Sequence, residues 1–118
     1  MAGSYNVHGE RIVDGNAGTL TALTFYNAGS DVERELTTTE ILHVTDVIII
    51  AETAGDVVLV AGAETPSNYI VSAGIAAGVP LVIHFNTPYI CAADNTLKFS
   101  GSALNKSMCV VQGFVQEA

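Results

Sequence analysis

Three histidines are the first side chains to consider for chemistry in this sequence. His8, His43 and His84 lie far apart, and no pair has the His-x-His spacing that would direct two imidazoles from one strand toward the same metal ion. A cupin-like metal enzyme would have a similar number of strands, but its metal motif is missing. We therefore predict no metal site, and we expect His43 and His84 to be half-buried strand residues.

Carboxylates and hydroxyls are the next candidates for a catalytic or cation-binding site. Residues 14–18 have the tight turn of a calcium loop but lack the further acidic ligands of an EF-hand, so they predict a plain turn. Glu33 and Glu35 have the residue types of a glycosidase pair, yet they flank Arg34 in a polar stretch and the chain has no Trp. No serine has the Gly-x-Ser-x-Gly context of a nucleophile elbow. The sequence predicts no catalytic residue and no cofactor, and hence no enzyme.

The two cysteines are the remaining reactive groups. Cys91 and Cys109 each lie in an apolar, strand-like context, and they lack the Cys-x-x-Cys spacing of a redox or zinc site. A disulfide between them would contribute about 3 kcal/mol of stability. We favour two buried free thiols, because a thiol in apolar surroundings behaves as a small hydrophobic side chain.

The composition indicates one domain with a surplus of apolar residues. The 118-residue chain is 49% hydrophobic and only 14% charged, with a formal net charge of −8. Lys and Arg are not clustered, so we predict no direct nucleic-acid binding. No run approaches the ~20 apolar residues of a spanning helix, and the first residues do not have the pattern of a signal peptide. We expect the surplus apolar surface to meet another protein chain.

Residues 45–85 carry the clearest structural signal, because short β-branched runs are separated there by glycine-rich turns. Residues 19–27, 34–44 and 107–116 show the alternation of strands. The pattern predicts an all-β fold, an antiparallel two-sheet sandwich of about eight strands and of jelly-roll or β-tulip type, over residues 19–118. Residues 1–18 lack sustained periodicity, and we predict an extended N-terminal arm there.

The central strands have apolar residues on both faces. Val57 and Leu59 face one way, and Val58 and Val60 face the other. A sandwich covers only one face of each of its sheets. The second apolar face therefore predicts burial against a neighbouring subunit or another partner.

The order of strand and turn segments from residue 55 onward resembles a known family. The segments are Gly55-Asp56-Val57-Val58-Leu59-Val60, Gly78-Val79-Pro80-Leu81, Phe85-Asn86-Thr87-Pro88-Tyr89, Asn95-Thr96-Leu97 and Gly113-Phe114-Val115. They resemble the small decoration (cement) proteins of tailed-bacteriophage capsids. The resemblance implies a structural virion protein, a homotrimer bound to the major capsid protein on the outer capsid surface and assembled in the bacterial cytoplasm.

The N-terminal arm is the predicted contact with the capsid or a neighbouring protomer. The candidate partner-binding residues are Tyr5, Val7, His8, Arg11 and Ile12. Two other function classes stay open at this point. One is a receptor- or glycan-binding head domain of a phage fibre or other trimeric β-sandwich module, and the other is a small cupin-like enzyme.

Overall fold

The computed structural model describes residues 4–13, 20–27, 29, 33–34, 40–62, 65, 68–91, 96–101 and 107–117. Among these residues there are ten strands and no helix, which confirms the predicted all-β two-sheet sandwich. Two of the strands are only two residues long, so eight are of substantial length. The strands are β1 (Ser4–Val13), β2 (Thr21–Ala22), β3 (Thr24–Asn27), β4 (Glu33–Arg34), β5 (Glu40–Ala51), β6 (Gly55–Ala61), β7 (Tyr69–Ile75), β8 (Leu81–Ile90), β9 (Leu97–Gly101) and β10 (Ser107–Glu117).

The two antiparallel sheets have the strand order of a jelly roll. The larger sheet has the order β4-β3-β1-β10-β5-β8, and the smaller has the order β2-β9-β6-β7. Strands from the start of the chain pair with strands from its end, β1 with β10 and β2 with β9. The middle of the chain repeats this pattern, since β5 pairs with β8 and β6 with β7. This is the arrangement of two Greek keys, and β3 and β4 extend the larger sheet beside β1.

Alternating apolar side chains from both sheets form the core. Val47 and Ile49 of β5 are fully buried, and they share the interior with Leu59 of β6, Phe99 of β9 and Val111 of β10. Successive side chains of a strand point to opposite faces, so every second residue of these strands reaches the core. The residues at these positions are β-branched, leucine or aromatic, which are the types that pack well on the inner face of a sheet.

The N-terminal segment differs from its prediction. Ser4–Val13 pairs with β10 along its whole length, and residues 7–10 also pair with β3. The segment expected to be an arm is therefore, over these residues, an inner strand of the larger sheet. Backbone hydrogen bonds to β10 and β3 hold this strand in the sheet. These bonds do not require alternating apolar side chains, so the sequence of the strand carries no apolar periodicity that would reveal it. Residues 1–3 and 14–19, which include the predicted turn and the predicted boundary after residue 18, lie outside the described residues.

Glycine is required where β10 passes close to β5 at a bulge. The register between the two strands shifts between Gln112 and Gly113. A Cβ added at Gly113 would collide with the carbonyl oxygen of His43 and lie 3.2 Å from the Cα of Val44. Any side chain at this position must displace the backbone of β5.

We expect Gly113→Ala to lower the free energy of unfolding by about 2 kcal/mol or more, because overpacking against backbone cannot relax through a rotamer change. Gly74→Ala is the matched control. Gly74 is exposed on β7, and an added Cβ would meet only Asp56 Oδ1 at 3.5 Å. Its substitution should leave stability unchanged or raise it by about 0.5 kcal/mol. Urea denaturation measures both effects, and equal losses would contradict the close approach at Gly113.

Both cysteines are buried and free, as the sequence predicts. Burial raises the pKa of the Cys109 thiol to about 12. The apolar interior disfavours the thiolate, which is the reactive form of the side chain.

We expect Cys109 to resist alkylation by iodoacetamide in the native protein. At about pH 8 its thiolate fraction is roughly a thousandfold lower than that of an exposed cysteine. Peptide mass spectrometry before and after denaturation checks this expectation. Rapid modification of Cys109 without unfolding would show that the thiol is accessible and would overturn it.

Candidate functional site

The five residues predicted to bind a partner all lie on β1. The side chain of Val7 is 3% exposed and belongs to the core, so it is not available as an anchor for another chain. The backbones of Tyr5, His8, Arg11 and Ile12 pair with β10, and their side chains lie outside the described part of the structure. The described residues thus bring these five positions onto one strand without showing a binding site there.

The three histidines lie on three different strands. His84 is exposed on β8 rather than half-buried as predicted, whereas His43 on β5 is half-buried as expected. His8 lies on β1, at a register position opposite Gln112 of β10. In the part of the chain that the structure describes, no three His, Cys, Asp or Glu side chains come together as a metal ion would require.

The most distinctive surface is the outer face of the larger sheet at β10, β5 and β8. Met108 lies opposite Ile50, and Ile48 lies between Val110 and Val82. We call these five residues the outer apolar patch. Ile48 is 37% exposed and Val82 is 63% exposed. Side chains at such cross-strand positions are close enough to touch, so the five form one continuous apolar area.

The outer apolar patch continues into an apolar groove of about 250 Å³. The groove is lined by Ile50, Ala51, Glu52, Gly78 and Met108. Gly78 has a positive φ of 69°, and its N–H donates to the carbonyl oxygen of Ala51 at 2.8 Å. This bond holds the turn between β7 and β8 against the end of β5. The apolar lining suits a hydrophobic side chain of a partner protein.

A polar row and an aromatic contact follow the patch on the same face. The polar row consists of Gln112, Asp46 and His84, which lie opposite one another on β10, β5 and β8. In the next row His43 stacks on Phe114, with ring centroids 4.7 Å apart and an interplanar angle of 8°. Ile90, opposite His43, is 52% exposed. Apolar groups therefore lie on both sides of the polar row.

Asp46 is the acceptor at the centre of the polar row. Nδ1 of His84 lies 2.7 Å from Asp46 Oδ1. The Thr45 hydroxyl has one proton, which it donates either to Asp46 Oδ2 at 2.9 Å or to the carbonyl oxygen of Gln112 at 3.1 Å. The hydrogen bond with His84, and secondly that from Thr45, lowers the pKa of Asp46 below its ordinary value of 3.8. Asp46 is therefore an anion at neutral pH.

Sequence reasoning missed the contact between Asp46 and His84, which are 38 positions apart in the chain. Only the pairing of β5 with β8 brings them together, and no local motif signals that pairing. The outer apolar patch had a detectable signal, because the runs 47–50 and 81–83 are apolar without interruption. Such runs indicate a strand with two apolar faces.

We expect His84→Gln to raise the pKa of Asp46 toward 3.8, because the main interaction that favours its anion is lost. His43→Gln is the matched control, since His43 stacks on Phe114 instead. Since folding lowers this pKa, Asp46 stabilises the fold above about pH 4, and this contribution is lost as the pH falls through the folded-state pKa. Carboxyl-carbon NMR titration of Asp46 measures the shift, and an equal pKa in both variants would refute the role of His84.

The chain matches no protein-family model and has no significant match among curated proteins. Among the described residues, no helix is long and apolar enough to cross a membrane.

Proposed function

We propose that this protein is a structural virion protein that decorates and stabilises the outer surface of a phage capsid. In this proposal it acts as a homotrimer bound to the major capsid protein. The observation that carries the proposal is the outer apolar patch, a continuous hydrophobic area on the solvent-facing side of a sheet. The resemblance of the strand and turn segments to decoration proteins supplies the kind of partner.

The patch has the energetic character of a binding surface. Ile48 and Val82 occupy neighbouring positions on adjacent strands and are both exposed. Complete burial of a fully exposed apolar side chain contributes about 1.5–3 kcal/mol, and covering the exposed parts of Ile48, Val82 and their neighbours contributes a fraction of this for each residue. Clustered apolar residues framed by polar ones are a usual mark of a protein-binding site.

The polar row can orient a partner protein on the same surface. Asp46 and His84 form a hydrogen-bonded pair, and Gln112 contributes an exposed amide beside them. A partner must offer complementary donors and acceptors at this row, since burying an unmatched charge is costly. Polar groups of this kind determine register and specificity more than affinity. A capsid surface with repeated identical sites requires such a fixed register.

The jelly-roll fold is compatible with the proposal. Jelly rolls form viral capsid and lectin domains as well as cupins, so the fold alone does not distinguish among these roles. The outer apolar patch favours a protein partner, because an exposed hydrophobic area fits another protein better than a sugar.

We expect Ile48→Glu to weaken binding to expanded capsids about a hundredfold, because a partner would have to cover an unpaired carboxylate at a cost of several kcal/mol. The capsids are assembled from the major capsid protein of the same genome in the absence of this chain, and cosedimentation measures binding. Ala22→Glu is the control, since Ala22 is exposed on β2 in the other sheet.

Val110→Glu, on the neighbouring strand of the patch, should behave like Ile48→Glu. Circular dichroism and thermal unfolding verify that each variant is folded. Wild-type protein that does not cosediment with the capsids would refute the proposed function. Folded Ile48→Glu and Val110→Glu variants that bind as tightly as Ala22→Glu would refute the assignment of the patch.

A further inference from the structure

Charge is distributed very unevenly between the surfaces of this protein. The chain has twelve acidic and four basic residues, and none of the sixteen lies between Glu64 and Asp94. This uncharged stretch contains β7, the turn at 76–80 and β8. In a protein of net charge −8, this stretch contributes no formal charge of its own, and the nearest acids lie on the neighbouring strands, Asp46 of β5 and Asp56 of β6.

The uncharged stretch forms one side of the sandwich. β8 is the last strand of the larger sheet and β7 is the last strand of the smaller one. Only the turn at 76–80 connects them, so the two free strand edges lie on the same side of the molecule. We call this side, residues 69–90, the uncharged edge.

The core is incompletely covered at the uncharged edge. Among the described residues, seven partly buried hydrophobic side chains pack against the core, and all seven lie on β7 or β8. They are Ile70, Ala73, Ile75, Leu81, Ile83, Phe85 and Tyr89. Four of the five exposed large hydrophobic residues also lie in this segment, namely Tyr69, Val79, Val82 and Ile90. Something that packs on this side would complete the core.

We propose that the uncharged edge is the surface through which copies of this chain associate with one another. Two copies of a protein with net charge −8 repel each other wherever their acidic surfaces meet. They avoid that repulsion where neither copy carries a charge, which is the case over residues 69–90. A basic partner would instead be attracted to the acids, and none of the acids belongs to residues 69–90. A second copy is therefore the occupant that the charge distribution favours.

The contact is made chiefly by side chains rather than by a continuous added strand. β8 pairs with β5 at His84 and again at Tyr89, and residues 85–88 between these points are bulged. Pro88 also lacks a backbone donor. Both features protect an edge strand from main-chain pairing. Exposed apolar side chains on this side, such as Val79, can pack against a second copy.

The number of copies in this assembly, three, rests on the proposed function. A ring of three copies uses two different patches at each contact, repeated around the axis. The β7 side of one copy and the β8 side of the next are two such patches. The ring would shield the half-buried core residues of all three copies.

The test uses the full-length protein in solution without capsids. Sedimentation velocity over a wide concentration range should show the wild type as an oligomer. Asn86→Asp places a carboxylate of nearly the same size at an exposed position of β8, and Val79→Asp does so in the turn at 76–80. We expect each to weaken association about tenfold or more, because the next copy would have to cover an unpaired carboxylate, which the net charge of −8 on that copy also repels.

Asn6→Asp is the matched control for Asn86→Asp, since Asn6 is also an exposed strand asparagine but lies on β1. Ala22→Asp is the control for Val79→Asp. Both controls should associate like the wild type. Added salt should restore part of the lost association in Asn86→Asp, because it screens the new repulsion. A general loss of structure would not respond in this way.

The result that overturns the inference is a wild type that stays monomeric at every concentration, or Asp variants that associate as tightly as their controls. The capsid-binding experiment with Ile48→Glu tests the proposed function and is independent of this measurement of self-association. A monomeric wild type that still binds capsids would remove this inference and leave capsid binding in place. An oligomer that Asn86→Asp weakens but that never binds capsids would support the inference and refute the proposed function.

Discussion

The structure depends on one constraint: a strand with apolar residues on both faces can be covered by its own sandwich on only one of them. In β5, Val47 and Ile49 fill the core, while Ile48 lies exposed between Val82 and Val110 on the other face. Water is a poor environment for a continuous apolar area of this kind. The fold and the proposed partner contacts are therefore two consequences of the same sequence pattern.

The two candidate surfaces differ in chemistry, and this difference suggests different occupants. The outer apolar patch adjoins the polar row around Asp46, which offers a charge and a hydrogen-bonding pattern that a different protein could complement. The uncharged edge has half-buried core residues and no formal charge, which suits contact between identical acidic chains. β8 belongs to both surfaces, since Val82 of the outer apolar patch and His84 of the polar row lie within residues 69–90. Self-association would therefore use the side of β8 away from β5, and capsid binding would use its outer face.

Much of the fold could be predicted from the sequence, because short β-branched runs and glycine-rich turns specify strands without reference to distant residues. The two apolar faces could be predicted for the same reason. The inner position of Ser4–Val13 could not, since its order comes from hydrogen bonding to β10 and β3 rather than from its own periodicity. Val7, a predicted partner contact, is buried in the core as a consequence of that pairing.

The candidate site was less predictable than the fold. The contact between Asp46 and His84 depends on the register of β5 against β8, which includes a bulge between Val44 and Asp46. A shift of one residue would turn His84 toward the core, and no local signal in the sequence determines that shift. The position of the polar row between two apolar areas is therefore a property of the assembled sheet.

The most direct test of the central claim is side-chain footprinting with hydroxyl radicals, read by mass spectrometry, on the free protein and on capsid-bound protein. In the free protein, the account predicts that Ile48 and Val82 are labelled, because both are exposed. On capsids, it predicts strong protection of both residues, with Ala22 labelled equally in the two states. Labelling of Ile48 and Val82 that does not change on binding would contradict the claim that the second apolar face is covered by a partner.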